Sequence, residues 1–307
     1  MRVTNNMLIM NMMNNMNNNL GKMDKVQQKM ASGKKFQMPS DDPIGVSKSL
    51  KFNTDLSRIE QYKRNVDDAT SWLEITETAV GEVGDILQRV RELTVQAANG
   101  TNAPDDRTKI SSEIEQLKKQ VIKVSNTKYA GRSIFTGYKT DKNLLDENGN
   151  YIIDLSSTEK STYNVGPADD IEVNIVGNEL FGLDTGNYGD DVSTTQKSKI
   201  IDVFDELLSG LNTDDDTKIN DTLVAIDDTM DNVLSVRANI GAKVNRLDLN
   251  KNRLDDQTLT VTKLLSNNED VDMAETIMEL KVQENVYRAS LSAGARVIQP
   301  TLIDFLR

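Results

Sequence analysis

The strongest constraint in this sequence is a hydrophobic period held without a slip over two long stretches. In the first, Ile59, Tyr62, Val66, Ala69, Leu73, Thr76, Val80, Val83, Leu87, Val90, Thr94 and Ala97 alternate steps of three and four. That spacing sets one row of side chains along one face of an α-helix, the seam of a coiled coil. No proline interrupts it, and it stops at Asn99 and Gly100, residues that take the left-handed conformation at a helix end. About forty residues, at about 1.5 Å each, make a rod of roughly 60 Å. The second stretch runs through Ile219, Leu223, Ile226, Met230, Val233, Arg237, Ile240, Val244, Leu247, Lys251, Leu254, Thr258, Val261 and Leu265 on the same rule. Each rod needs a partner to bury its stripe, and each is the obvious partner of the other.

Between the rods the texture changes. A shorter helix is predicted behind Pro104 and Asp105, with Ile110, Ile114, Leu117, Val121 and Val124 on one face, able to fold back on the first rod. From about 129 to 188, short β-branched or aromatic runs are cut by Gly, Asn and Asp, which predicts a small antiparallel β domain. Within it Asn148-Gly149 has the chemistry of a two-residue hairpin turn. Helix resumes with Ile200 or Ile201, Phe204, Leu207 or Leu208 and Leu211, and the acidic run 214–216 caps the second rod.

The two ends are weaker versions of the rods. Ile9, Met13, Met16, Leu20, Met23, Gln27 and Met30 step by four and three with one polar interruption at Gln27. Met273, Ile277, Leu280, Glu284, Tyr287, Leu291, Gly294 and Ile298 do the same near the other end, interrupted at Glu284. Eight of the first twenty residues are Asn and eight of the twelve Met lie in the first thirty. Asn is a poor helix former and Met packs adaptably, so this pair is expected to be marginal in the isolated chain. It should become ordered when neighbours supply more buried surface.

The expected fold is therefore mainly α with an inserted small β domain. Long antiparallel helical rods, coiled-coil-like, place both termini at one pole and the antiparallel β domain at the other. By residue, 1–50 and 267–307 form a terminal helical assembly region, 51–137 and 190–266 the rods, and 138–189 the outer β domain.

Composition narrows the function. Only 37% of the 307 residues are hydrophobic and 5% aromatic, which suits thin elongated packing better than one thick core. A net charge of -12 argues against nucleic acid or an anionic membrane as partner. Arg2, Lys22, Lys25 and Lys29 make the first thirty residues locally basic, but without interleaved aromatics they read as a solvated helix face. The apolar run 7–10 is too short for a secretory signal. There is no Cys and no His, which removes disulfides, thiolate nucleophiles, imidazole bases and His-based zinc sites. No cofactor and no catalytic or metal site is expected.

Asp41-Asp42 is read as turn and capping chemistry, because adjacent carboxylates point apart and no general acid is placed near them. The loop 146–150, DENGN, has oxygen ligands at alternating positions but Ser157 where a calcium loop needs its bidentate Glu, so a turn is the better reading.

Several segments resemble the flagellin family. MASGKKFQMPSDDPIG (30–45) is similar to the turn after that family's first helix, LTVQAANGT (93–101) to the end of its amino-terminal rod, and KYAGRSIFTGY (128–138) to its entry into the outer domain. RANIGAKVNRLD (237–248) resembles its returning rod, and the residues from 270 onward its carboxyl-terminal helix. The Pro-framed turn 39–43 is similar to the family's hook–filament junction members, whereas the final Arg307 is more like filament flagellin. The resemblance implies a structural, non-enzymatic subunit at the hook–filament junction, extracellular, exported without a cleaved signal through the flagellar type III apparatus. Implied partners are hook-associated protein 1, flagellin, further copies of the chain and an export chaperone. An assembly interface is then expected at Met13, Met16, Leu20, Met23, Gln27 and Met30, at the turn residues Pro39, Asp41, Asp42 and Pro43, and at Ile277, Leu280, Glu284, Tyr287, Leu291, Ile298, Leu302 and Phe305. Filament flagellin is the alternative, and an enzyme displayed on a filament is the alternative from another class.

Overall fold

The computed structural model describes residues 5–98, 104–184, 187–213 and 215–297. Its helices are α1 (Asn5–Ser32), α2 (Pro43–Ala98), α3 (Pro104–Ser125), the short α4 (Gly177–Phe181), α5 (Lys199–Thr213), α6 (Asp216–Glu269) and α7 (Met273–Val297). Four short strands lie between α3 and α4: β1 (Lys128–Tyr129), β2 (Arg132–Ser133), β3 (Thr162–Gly166) and β4 (Asp169–Glu172). The protein is thus mainly helical with a small antiparallel β region, as its periodicity requires. The chain sorts into two compact units, 59–255 and the pair of segments 1–58 and 256–307. The helix ends predicted at Asn99 and Gly100, and Asp214 of the acidic run, lie outside the described residues.

In the unit 59–255 the rods pair antiparallel. Lys63 meets Asp255 at 2.5 Å, Asp67 meets Lys251 at 2.8 Å, Glu77 meets Arg237 at 3.4 Å and Arg91 meets Asp227 at 2.6 Å. As one number climbs, the other falls, which fixes direction and register together. Val66, Ala69, Leu73, Thr76, Val80, Val83, Leu87, Val90, Thr94 and Ala97 of the predicted α2 seam are all buried. On α6 the row Ile219, Ile226, Val233, Ile240, Leu247 and Leu254, seven residues apart, is also buried. At the first two rungs between them Thr222 and Thr229 are buried beside the expected Leu223 and Met230, which are half-buried, while Val244 is half-buried as expected. Each Thr hydroxyl is satisfied by its own helix, donating to the Ile219 and Ala225 carbonyls at 2.9 and 2.7 Å, so burial leaves no orphan donor.

A second row on α2, Ala79, Ile86 and Leu93, is buried by the fold-back of other helices. Helix α3 runs antiparallel to α2, tied by Arg89 to Glu113 (2.8 Å) and by Gln120 to Glu82 (3.1 Å), and α5 packs on α3 through Lys118 and Asp205 (2.6 Å).

The β region is two separate hairpins and isolated bridges. Between β1 and β2, Ala130 and Gly131 both have positive φ (49° and 81°), the geometry of a tight two-residue turn. The two-residue turn expected at Asn148-Gly149 is instead a five-residue loop closed by the Leu145–Tyr151 bridge. Asp146 explains the difference: its Oδ1 accepts the N–H groups of Asn148 and Asn150 (2.9 and 2.8 Å), an Asx turn that organises the longer loop. Pairs β3 and β4 form a bulged hairpin whose Asp169 is gripped by Arg246 (2.5 Å), Arg253 (3.2 Å) and Asn250 (3.2 Å) of α6. Burial works to raise the Asp169 pKa, but the hydrogen bonds and charges of these partners outweigh it and hold the carboxyl below the usual range. Inside, Phe135 and Phe181 meet edge to face at 5.5 Å, and the buried Tyr151 hydroxyl donates to the Gly182 carbonyl at 2.6 Å.

Candidate assembly surface

Within the unit formed by 1–58 and 256–307, α1 and α7 pack antiparallel. The connection after α1 is built around Gly33, whose φ of 70° and N–H bond to the Lys29 carbonyl (2.9 Å) end the helix. The next residues pair with the α6–α7 turn: Lys35 N–H donates to the Glu269 carbonyl (2.6 Å), Val271 N–H to the Gly33 carbonyl (3.0 Å), and Lys34 Nζ reaches Glu269 at 2.7 Å. Asp272 then caps α7, accepting the Ala274 N–H at 2.8 Å.

The Pro-framed turn is a capping device. Asp42 Oδ1 accepts the N–H groups of Ile44 and Gly45 (3.1 and 3.0 Å), and Pro43 sits in the first helical position, where a missing N–H costs nothing. Asp41 Oδ2 accepts the Met38 N–H at 3.3 Å. Phe36 is buried against Gly45; a Cβ there would lie 2.6 Å from the Phe36 ring and 2.4 Å from Asp42 Oδ2, so any side chain would force the ring or the capping carboxylate to move. Asn268 holds the same spot from α6, its amide donating to the Gly45 carbonyl (2.9 Å) and to Ser49 Oγ (2.7 Å). Pro39, Asp41, Asp42 and Pro43 are all exposed.

The helix contact corrects the expected seam. Ile9, Met16, Met23 and Met30 are half-buried as predicted, but the alternate positions are Met12, Asn19 and Val26 rather than Met13, Leu20 and Gln27. On α7 the facing set is Thr276, Leu280, Gln283, Tyr287, Ser290 and Gly294, so Leu280 and Tyr287 stay while Ile277 and Leu291 turn outward. Glu284 is half-buried at the edge and pairs with Lys281 at 3.0 Å. The polar interruption is therefore Asn19, which donates to Ser290 Oγ at 3.1 Å, and Gln27 is exposed. Gly294 leaves room for Met12, since a Cβ there would lie 2.6 Å from Met12 Sδ. Ile298, Leu302 and Phe305 lie outside the described residues. The reason for the shift is geometric: in a row stepping by seven, residues three or four along both flank it, and a single partner helix covers only one flank.

The uncovered flanks are apolar. Met7, Met10, Met13 and Leu20 on α1, and Met273, Ile277, Met278, Val282, Val286 and Leu291 on α7, are all exposed, between 40% and 70%. The covered seam meanwhile holds Asn19, Thr276, Gln283 and Ser290. The pair therefore hides amides and hydroxyls while it leaves methionine and leucine exposed, the reverse of a self-sufficient helix pair. The sequence signal for Met12, Asn19 and Val26 was present, since they complete a three–four row through the same Met16 and Met23; polarity at Asn19 hid it.

Long paired helices, a small β insert and apolar rows left exposed on the terminal helices define a helical protein of the coiled-coil type. Residues 3–140 match the bacterial flagellin N-terminal helical region and residues 223–306 the bacterial flagellin C-terminal helical region, so the chain belongs to the bacterial flagellin family. It is 27% identical to flagellar hook-associated protein 3 of Escherichia coli over 95% of this chain and 96% of that one. It is also 27% identical to the flagellin of Halalkalibacterium halodurans, over 97% and 96%. Among solved structures, a putative flagellar hook-associated protein from Vibrio parahaemolyticus superposes with a TM-score of 0.64 at 26% identity, over 75% of this chain and 100% of that one. FlgL of Bacillus cereus shares the fold, with a TM-score of 0.58 at 22% identity over 70% and 99%.

Proposed function

We propose that this chain is a structural subunit of the bacterial flagellum that adds at the hook–filament junction, between hook-associated protein 1 and the flagellin filament. The observation that carries this reading is the pair of open apolar rows on α1 and α7 beside a polar internal seam. Similarity to hook-associated protein 3 over nearly the whole of both chains points to the junction as the place of addition. The terminal segments 1–50 and 267–307 act as the inner assembly layer, 51–137 and 190–266 as the rod layer and 138–189 as the outward face. Within the inner layer, Met13, Leu20, Ile277 and Leu291 contact neighbouring subunits, while Met16, Met23, Leu280 and Tyr287 hold the helix pair together. The role is mechanical, with no reaction catalysed. The subunit works outside the cell after export through the flagellar type III apparatus, escorted by a chaperone that shields the open rows.

The full-length likeness to a flagellin supports a second reading, a filament subunit. Seeded addition separates the two. Purified chain is offered to bare hooks, to hooks carrying the first junction protein and to filament fragments, and the products are viewed by electron microscopy. Short, self-limiting addition only behind the first junction protein supports the adaptor. Long polymers growing from filament fragments would overturn it in favour of the filament subunit.

A further inference from the structure

The charge of this chain is unevenly laid out. Between Leu117 and Lys142 there are seven cations, Lys118, Lys119, Lys123, Lys128, Arg132, Lys139 and Lys142, and one acid, Asp141. That stretch carries +6 in a chain of -12, which leaves -18 on all the rest. In the unit 59–255 it forms a groove of about 620 Å³ walled by Lys119, Lys123 and Lys128 with Asn126 and Asn143; Glu147 is the one acid on its wall. Lys119 is engaged by Glu115 at 3.0 Å. Lys123 and Lys128 are exposed and enter no ion pair among the described residues. An exposed cation pair left open in an acidic chain is an invitation to an acidic surface.

The same unit carries such a surface. A second groove of about 420 Å³, sharing no residue with the first, is lined by α5 and the start of α6. There Asp202 and Asp205 are neutralised by Lys197 and Lys118 (2.6 to 3.0 Å), but Glu206 and Asp221 are exposed and unpaired among the described residues, with Lys218 the only cation lining it. Asp228, one heptad beyond Asp221, continues the exposed acidic row along α6.

We propose that the Lys123–Lys128 groove of one copy receives the Glu206–Asp221 face of the next. The occupant is a second copy because the complementary charge is already present on this chain, in a groove that shares no lining residue with the first. A contact between two different faces of identical subunits repeats head to tail and closes a ring or winds a helix. It also answers the electrostatic problem of assembling like-charged chains, since a net charge of -12 on each opposes approach everywhere except where a basic face meets an acidic one. The inference rests on the reading that copies of the chain add to one another, and extends it from the terminal helices to the rod unit.

The test uses full-length protein in sedimentation velocity, at about 0.05 M and about 0.5 M NaCl, a range over which screening between exposed charges rises strongly. Wild type should self-associate at low salt and lose that association at high salt. The Lys123→Glu, Lys128→Glu variant and the Glu206→Lys, Asp221→Lys variant should each weaken association about tenfold or more. The fourfold variant, with both faces swapped, should recover it, and so should an equimolar mixture of the two double variants. The mixture gives the answer even if the fourfold chain misfolds, and circular dichroism checks the helices of each. Wild type that stays monomeric at low salt, or reversals without effect, or swaps that fail to rescue in the mixture, overturn the proposal. So does a basic-face reversal that abolishes addition to hooks while self-association is intact, since the occupant is then another protein. Failure of the contact leaves wild-type addition to hooks untouched, so it is distinguishable from failure of the junction reading.

Discussion

The separation of covered and open rows on the terminal helices makes a sharp prediction for Leu20→Gln, Leu291→Gln. Both leucines keep 44% of their surface exposed in the isolated chain and lie outside the α1–α7 contact. Complete burial of a leucine side chain contributes about 2 kcal/mol, so covering the remaining exposed part on assembly contributes about 1 kcal/mol for each, about 2 kcal/mol for the pair. Gln and Leu have nearly equal helix propensity, so the exchange leaves the helices themselves almost unbiased. Loss of about 2 kcal/mol per added subunit weakens addition about thirtyfold. The assay is binding of fluorescently labelled chain to hooks that carry the first junction protein, paired with a thermal melt followed by circular dichroism. Addition should weaken about thirtyfold while the melting curve and helical signal stay put. A melt that drops together with addition would place these leucines in the internal contact, and unchanged addition would remove the open rows from the interface; either result refutes the reasoning.

Gly149→Ala should be among the most costly single-methyl changes in the chain, because its φ is +87° and the added Cβ would lie 2.3 Å from Ile201 Cγ2. Strain plus overpacking gives about 2–4 kcal/mol, read as a lower midpoint in urea unfolding. Asp169, with its pKa depressed by Arg246, Arg253 and Asn250 against the opposing effect of burial, stabilises the β3–β4 clamp above the ordinary carboxylate pKa. That contribution is lost as pH falls through the depressed value, so the hairpin should become open to an acid-active protease only well below about pH 4, the ordinary range. Asp169→Asn should make cleavage there independent of pH. Tyr151 is pushed up by burial, against a weaker lowering hydrogen bond with Ser198, so its phenol stays neutral in the folded chain. Its stabilising effect is complete below about pH 10 and erodes as pH climbs toward the raised value. In an ultraviolet titration, Tyr151 should ionise only with unfolding.

What the sequence made legible was the part governed by local repetition. The α2 seam could be read position by position because apolar residues and the period agree from Val66 to Ala97. On α6 the row from Ile219 to Leu254 was equally plain, but a preference for Leu223 and Met230, which are half-buried, passed over the more deeply buried Thr222 and Thr229. Hydrophobicity ranked the residues, whereas a Thr hydroxyl that bonds its own helix is cheap to bury and compact enough for a close contact. In the β region the breaks were visible and the pairings were not. Leu155 pairs with Val192 and Asn150 with Lys197 across about forty residues, and such contacts leave no trace in local spacing. The helix α4 was missed for the same reason, since Leu180 and Phe181 are placed by the surrounding core rather than by five residues of propensity.

The terminal helices carry one contact that the structure shows and, on the proposed function, a second that assembly would make. Along α1 the row Ile9, Met16, Met23 and Met30 is flanked by two candidate rows, Met12–Asn19–Val26 and Met13–Leu20–Gln27. The internal contact takes the first, where Asn19 finds Ser290 and Val26 is buried. Had it taken the second, Leu20 would face α7 and the molecule would gain internal stability while losing apolar surface to offer. Along α7 the choice is the same: Thr276, Gln283 and Ser290 face inward, and Ile277 and Leu291 outward. Polar residues in the internal seam fix register at a cost in strength, as a buried Asn does in a coiled coil. On the proposed function, a polar internal seam with apolar outer rows makes assembly, rather than folding of the single chain, the step that buries most of the apolar surface of these helices. The composition that looked unsuited to a stable helix pair is thus suited to a pair that is completed by its neighbours.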